Sequence, residues 1–178
     1  LIVGTANPED YTNRGRIITP LKDRYGSQVR THYPERIEDE LEIAEQERSH
    51  YAESEERIHV PPYMSEVIGE ITSLARRSPE VNQRSGVSVR MTIANLETAR
   101  ASALRRALRL HEEMGSIRVS DMSGLIASTR GKLELETIEE GRENDVIEEI
   151  IKRAVLDVFD RHFGTDELDG VVASFDPG

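Results

Sequence analysis

The sequence contains no cysteine. Disulfides, thiolate nucleophiles and cysteine-based zinc sites are therefore excluded at once. Its five histidines, at positions 32, 50, 59, 111 and 162, never fall into H-E-x-x-H or another short ligand spacing. Each reads as a surface or structural side chain, and no metal site is expected. No apolar run approaches the length that spans a bilayer and no signal peptide is visible, so a cytoplasmic protein that does not engage a membrane is expected. Excess positive charge is lacking too: 23 Lys and Arg stand against 34 Asp and Glu, a net charge of −11. That balance repels phosphate backbones in bulk, so nucleic acid is not an expected partner. Arg100, Arg105, Arg106 and Arg109 form a local basic run, but the overall charge argues against a helical DNA-binding domain built on them.

A phosphate-cradling loop is also missing. The P-loop requires G-x-x-x-x-G-K-[ST]. The Gly-Lys pair Gly131-Lys132 has Ile126 in place of the first glycine and Leu133 in place of Ser or Thr. No Asp-Glu pair follows an apolar strand to hold Mg²⁺. These 178 residues are expected to bind ATP poorly and to hydrolyse none.

What is present is mostly helical periodicity. Hydrophobic residues make up 37% of the chain and cluster in periodic stretches, which sets it apart from disordered polypeptide. Residues 1–8 read as a buried strand, residues 20–25 as a short helical turn opened by Pro20, and residues 28–33 as a second short strand closed by Pro34. From Glu35 the period changes. Residues 35–56 carry ten Asp and Glu against Arg36 and Arg48, with Ile37, Leu41 and Ala44 at helical spacing. This predicts a thinly apolar helix whose acidic face is solvated. Met64, Val67, Ile68, Ile71, Leu74 and Ala75 predict a one-face helix over 63–78 with Arg76 and Arg77 in its last turn. Ser88 suits the N-cap of a helix in which Ala99, Ala103 and Ala107 recur every four residues and allow close packing. Ser120 or Asp121 would cap a short helix through Ser128, and residues 132–136 look extended. The stripe Val146, Ile147, Ile150, Ile151, Ala154, Val155, Val158 and Phe159 predicts the strongest helix, over 145–163, stopped by Gly164. Residues 165–178 read as an acidic tail. The predicted class is mainly α: a helical bundle over 35–164 behind a strand-turn-strand segment over 1–34.

Two segments carry chemistry. In Gly4-Thr5-Ala6-Asn7-Pro8 an apolar run ends on an Asn, which orients a water without being a charged base. In Leu21-Lys22-Asp23-Arg24-Tyr25-Gly26 an Arg offers a planar, permanently charged fork suited to phosphate. Phosphoryl transfer needs little else from a protein than positioned water and positive charge near the γ-phosphate oxygens. Ser85-Gly86-Val87-Ser88-Val89-Arg90 then places Arg90 in the first turn of a helix. A cation there is mildly unfavourable against the helix dipole, which favours a functional reason for it.

Together these segments resemble the sensor-1, arginine-finger and sensor-2 motifs of AAA+ ATPases, nearest the magnesium chelatase ATPase-subunit and MoxR-like group. The resemblance spans roughly residues 1–112. It implies the end of an α/β AAA+ core over 1–34, a helical lid with a helical extension over 35–164, and a tail over 165–178. It implies that Asn7 positions the attacking water, that Arg24 is the arginine finger, and that Arg90 reaches the nucleotide of its own or a neighbouring subunit. Tyr25 replaces a Phe of the family pattern, and Arg14 and Arg16 in the preceding loop remain alternative fingers. ATP and Mg²⁺ are the implied cofactors of an intact protein and neither is expected on this segment alone. A homo-oligomeric ring and a von Willebrand A-type metal-binding protein are the implied partners. The first residue is already mid-strand, so a piece of a longer ATPase is expected. The competing expectation is a non-enzymatic helical module whose acidic first helix binds a basic partner.

Overall fold

The computed structural model describes residues 2–5, 23–83, 85–136 and 141–163. The protein is mainly α, and the chain divides into two units, Leu1–His32 and Tyr33–Gly178.

In the first unit the strand expectations fail for the described residues. Residues 2–5 and 28–32 belong to no strand, and neither does Tyr33. Ile2, Val3 and Val29 are largely exposed, at 87%, 79% and 84%. An apolar run becomes a buried strand only when neighbouring strands pair its backbone, and these residues have no such neighbour among the described ones. Residues 23–24 form a turn; the expected helical turn over 20–25 otherwise lies outside the described residues.

The second unit is built from six helices among the described residues. They are α1 (Ile37–Glu47), α2 (Ala52–Arg57), α3 (Pro62–Arg77), α4 (Arg90–Leu110), α5 (Leu125–Arg130) and α6 (Arg142–His162), with a 3₁₀ turn at Val119–Gly124 before α5. The single helix expected over 35–56 is two. Its apolar stripe of Ile37, Leu41 and Ala44 ends at Ala44, and the chain turns after Glu47. There the Ser49 amide donates to Glu97 Oε1 at 2.7 Å, so a contact from α4 replaces the next helical hydrogen bond.

Pro61 and Pro62 open α3, where a missing N–H costs nothing because the first helical amides have no intrahelical partner. The apolar stripe of α3 is buried and packs against α1, α4 and α6. In α6, Val146, Ile147, Ile150, Ile151, Ala154 and Val158 are buried as their spacing predicts, while Phe159 stays partly exposed and stacks on Phe163, ring centroids 4.9 Å apart. A two-residue parallel sheet joins β1 (Ile58–His59) to β2 (Gly115–Ser116). The extended reading of 132–136 is met by one antiparallel bridge, Leu135 to Val81. Gly164 and the tail lie outside the described residues.

The alanine spacing of α4 has the packing consequence read from the sequence. Ala99, Ala103 and Ala107 have no exposed surface. A Cβ added to Gly115 would lie 3.0 Å from Ile58 Cδ1 and 3.1 Å from Ala107 Cβ. The helix therefore lies against the β1–β2 segment at a distance only small residues allow. Leu and Ala have similar helix propensity, so Ala107→Leu tests packing alone. It is expected to destabilise the fold by about 1–3 kcal/mol through overpacking, read as a lower urea midpoint; an unchanged midpoint would contradict the close approach.

Candidate functional site

Asn7, with the alternative fingers Arg14 and Arg16, lies outside the described residues. Arg24 sits in the 23–24 turn of the first unit, exposed and with no ion pair or hydrogen bond among the described residues. Arg90 belongs to the second unit. The structure describes each arginine within its own unit.

Arg90 is the first residue of α4 and its side chain is exposed, again without a partner among the described residues. Its backbone is closely held. The Arg90 amide donates to Ser88 Oγ at 3.2 Å and the Met91 amide to the Ser88 carbonyl at 3.0 Å, so Ser88 supports the helix start from one residue before Val89, which takes the N-cap position expected for Ser88. Gly86 has φ +66°, a left-handed backbone that favours glycine, and an added Cβ there would collide with the Tyr33 hydroxyl. Val87 and Met91 are buried on either side of the start of the helix. Upstream, Ser85 Oγ donates to the Glu134 carboxylate and the Asn82 amide donates to the Glu134 carbonyl at 2.8 Å.

Beneath this turn is a buried polar knot that sequence reasoning missed. Glu40 of α1, 3% exposed, accepts both terminal nitrogens of Arg76 from the last turn of α3, the Nη2–Oε1 bond at 3.0 Å. Glu40 Oε1 also accepts the Thr92 hydroxyl of α4 at 2.5 Å, and Thr92 Oγ1 lies 2.7 Å from Thr72 Oγ1 of α3. Arg76 Nε donates to the Val87 carbonyl at 2.9 Å, and its guanidinium lies over the Tyr33 ring, 4.4 Å from the centroid. One arginine thus ties α1, α3, Tyr33 and the turn before Arg90 together. The spacing signal was available: Glu40 lies three residues after Ile37 and four before Ala44, inside the apolar stripe. An acid at such a position needs a buried cation.

Similar knots recur. Arg48, 5% exposed, donates to Glu45 and Glu55, and Arg100, 7% exposed, donates to the Ser54 carbonyl at 3.1 Å and to Glu55 at 3.0 Å. Hydrogen bonds from Arg48 are the chief reason that the Glu45 and Glu55 carboxyls titrate below their usual 4.5, and the Arg48 guanidinium is in turn pushed up. Burial pushes Arg100 down. Glu70 of α3, 4% exposed, accepts Arg77 at 2.8 Å and Arg161 of α6. Asp121 accepts Arg106 Nη2 at 3.0 Å and the Arg118 amide at 2.9 Å. Arg100 and Arg106 are therefore engaged inside the fold, and half of the basic run in α4 cannot form a nucleic-acid face. Among the described residues no three His, Asp or Glu side chains gather to hold a metal ion, and no helix is long and apolar enough to cross a membrane. The turn at Gly131-Lys132 shows one 3₁₀-type bond, Lys132 amide to Thr129 carbonyl at 2.9 Å.

No protein-family model matches the chain, and neither does any curated protein or solved structure.

Two outcomes follow from these contacts. Arg76→Ala leaves Glu40 buried without its cation and is expected to cost about 3–5 kcal/mol, whereas Arg90→Ala is expected to change stability by less than about 0.5 kcal/mol. Chemical denaturation of the two variants checks this, and equal losses would contradict the assignment of one arginine to the fold and the other to solvent. For Glu45 and Glu55 the folded values are depressed. Their stabilisation is thus present above the usual 4.5 and lost as pH falls through the lowered folded values. Stability measured from about pH 6 down to about pH 3 should fall below about pH 4.5, and less steeply in Arg48→Met; identical slopes would contradict the pairing.

Proposed function

We propose that this chain is the C-terminal part of an AAA+ ATPase similar to the magnesium chelatase ATPase subunit. In this reading the second unit is its helical lid and Arg90 its sensor-2 residue. The observation that carries the reading is the contrast between the arginines of the second unit. Arg76 and Arg106 serve the buried carboxylates Glu40 and Asp121, and Arg48 and Arg100 are themselves buried and pair with Glu55. Arg90 has no such partner among the described residues; Arg105 and Arg109 are likewise exposed without one, but Arg90 stands at the start of α4, on a turn held by its own Gly-x-Ser-x-Arg backbone. A fold that keeps a cation at the wrong end of a helix dipole, and fixes the backbone beneath it, is suited to an anion brought from outside.

The residues fit a triphosphate in charge and chemistry. Arg90 and Arg24 are both exposed and unpaired among the described residues, so neither must break an internal ion pair to meet phosphate. Bound ATP supplies the phosphoryl group. Arg24 or another arginine of the first unit would offset charge developing on it, Asn7 would orient the attacking water, and Arg90 would report nucleotide state to the lid. In this proposal Mg²⁺ comes with the nucleotide and takes its protein ligands from the nucleotide-binding half. The ring assembly and the von Willebrand A-type partner belong to the same proposal, as does the remodelling of that partner or the insertion of metal into it.

The first test is the coding sequence upstream of Leu1, where a P-loop and an acidic Mg²⁺ motif are expected; their absence would overturn the reading. In the full-length protein Arg24→Ala should abolish hydrolysis while sparing ATP binding, and surviving activity would move the finger to Arg14 or Arg16. Asn7→Ala should slow turnover by about two orders of magnitude or more, and near-normal turnover would reject its role. Arg90→Ala should weaken nucleotide binding. Calorimetry of the 178-residue chain with ATP should show no tight binding, and a micromolar isotherm would contradict the division of labour.

A further inference from the structure

We infer that Thr92 and Arg76, through their shared hold on Glu40, are positioning residues that set the direction in which Arg90 projects from the lid. This rests on the reading of Arg90 proposed above and adds what orients it.

An exposed arginine is aimed by its helix more than by its own contacts, because its long side chain rotates freely once the backbone is placed. Residues two apart point to nearly opposite faces of a helix, at about 200° of rotation. Thr92 is fully buried and Arg90 exposed. Anchoring Thr92 therefore fixes the rotation of the first turn of α4, with Arg90 on the side away from the anchor. The anchor is Glu40, reached at 2.5 Å. Glu40 is immobilised by the fork of Arg76, and the remaining donor of that fork holds the Val87 carbonyl at 2.9 Å, three residues before Arg90. The same guanidinium thus restrains the helix from its core side and the incoming chain from its loop side. Release of either contact leaves Ser88 still bonded to the Arg90 amide but free to rotate with the helix.

The test is a double-mutant cycle in the full-length protein, with nucleotide affinity measured by titration of a fluorescent ATP analogue. Thr92→Val keeps the side-chain shape and removes the hydroxyl. It should weaken nucleotide binding about fivefold in the presence of Arg90 and have no further effect on Arg90→Ala, because it acts only through that side chain. Thr92→Ser should restore affinity. Arg76→Lys, which keeps the charge but cannot fork to both Glu40 and Val87, should behave as Thr92→Val does and substitutes for it if the valine variant fails to fold. Equal losses with and without Arg90, or wild-type affinity in Thr92→Val while Arg90→Ala still weakens binding, would overturn the inference and leave the proposed function standing. Wild-type affinity in Arg90→Ala itself would remove the proposed role of Arg90 and this inference with it.

Discussion

The ion pair between Glu40 and Arg76 is the constraint on which the second unit depends. It is buried, it is bidentate, and each partner has further obligations: Glu40 to the Thr92 hydroxyl, Arg76 to the Val87 carbonyl and the Tyr33 ring. Removing two charges from water is expensive, and their mutual attraction offsets this only when geometry and secondary hydrogen bonds are complete. Here they are complete only if α1, the end of α3 and the start of α4 occupy one relative arrangement. The pair adds little net stability but makes any other packing of those three helices costly.

Ion pairs with at least one buried partner recur around the bundle. Glu55 joins α2 to Arg48 after α1 and to Arg100 in α4, Glu70 joins α3 to Arg161 in α6, and Asp121 joins the 3₁₀ turn to Arg106 in α4. Apolar surface alone would leave helix rotation loosely specified in a chain with only three Phe, five Tyr and no Trp, because Ala, Val and Ile stripes slide against one another with small changes in buried area. Buried charges facing particular partners do not slide. Arg90, Arg105 and Arg109 lie outside this scheme among the described residues, and of these Arg90 stands at the helix start.

Much of the bundle was legible from spacing. Most of the stripes of α3 and α6 and the alanines of α4 are buried as their periods require, with Leu74 and Val155 partly buried and Phe159 exposed, and Ser88 Oγ accepts the Arg90 amide at the start of α4. The break between α1 and α2 was not legible, because it depends on Glu97, 48 residues away in sequence, accepting the Ser49 amide. The strands expected near Ile2 and Val29 illustrate the converse: periodicity names a face to bury, but burial needs a partner that the pattern cannot supply. At the candidate site the sequence pointed to Arg90 by its motif and to the glycine before it. It did not reveal the knot beneath, although Glu40, Thr92 and Arg100 interrupt apolar stripes. A polar residue at a core position marks an unseen partner, and the period is silent on which residue answers it.

Native-state hydrogen exchange at the Met91 and Ile93 amides tests the central claim most directly. These amides donate to Ser88 and Val89 in the first turn of α4, at 3.0 and 3.1 Å, where helices ordinarily fray. If the Glu40 knot fixes that turn, both amides should exchange nearly as slowly as those in the middle of α4, and only through global unfolding. Fast exchange at Met91 and Ile93, with the middle of α4 still protected, would show a helix start that is free to move and would contradict the account.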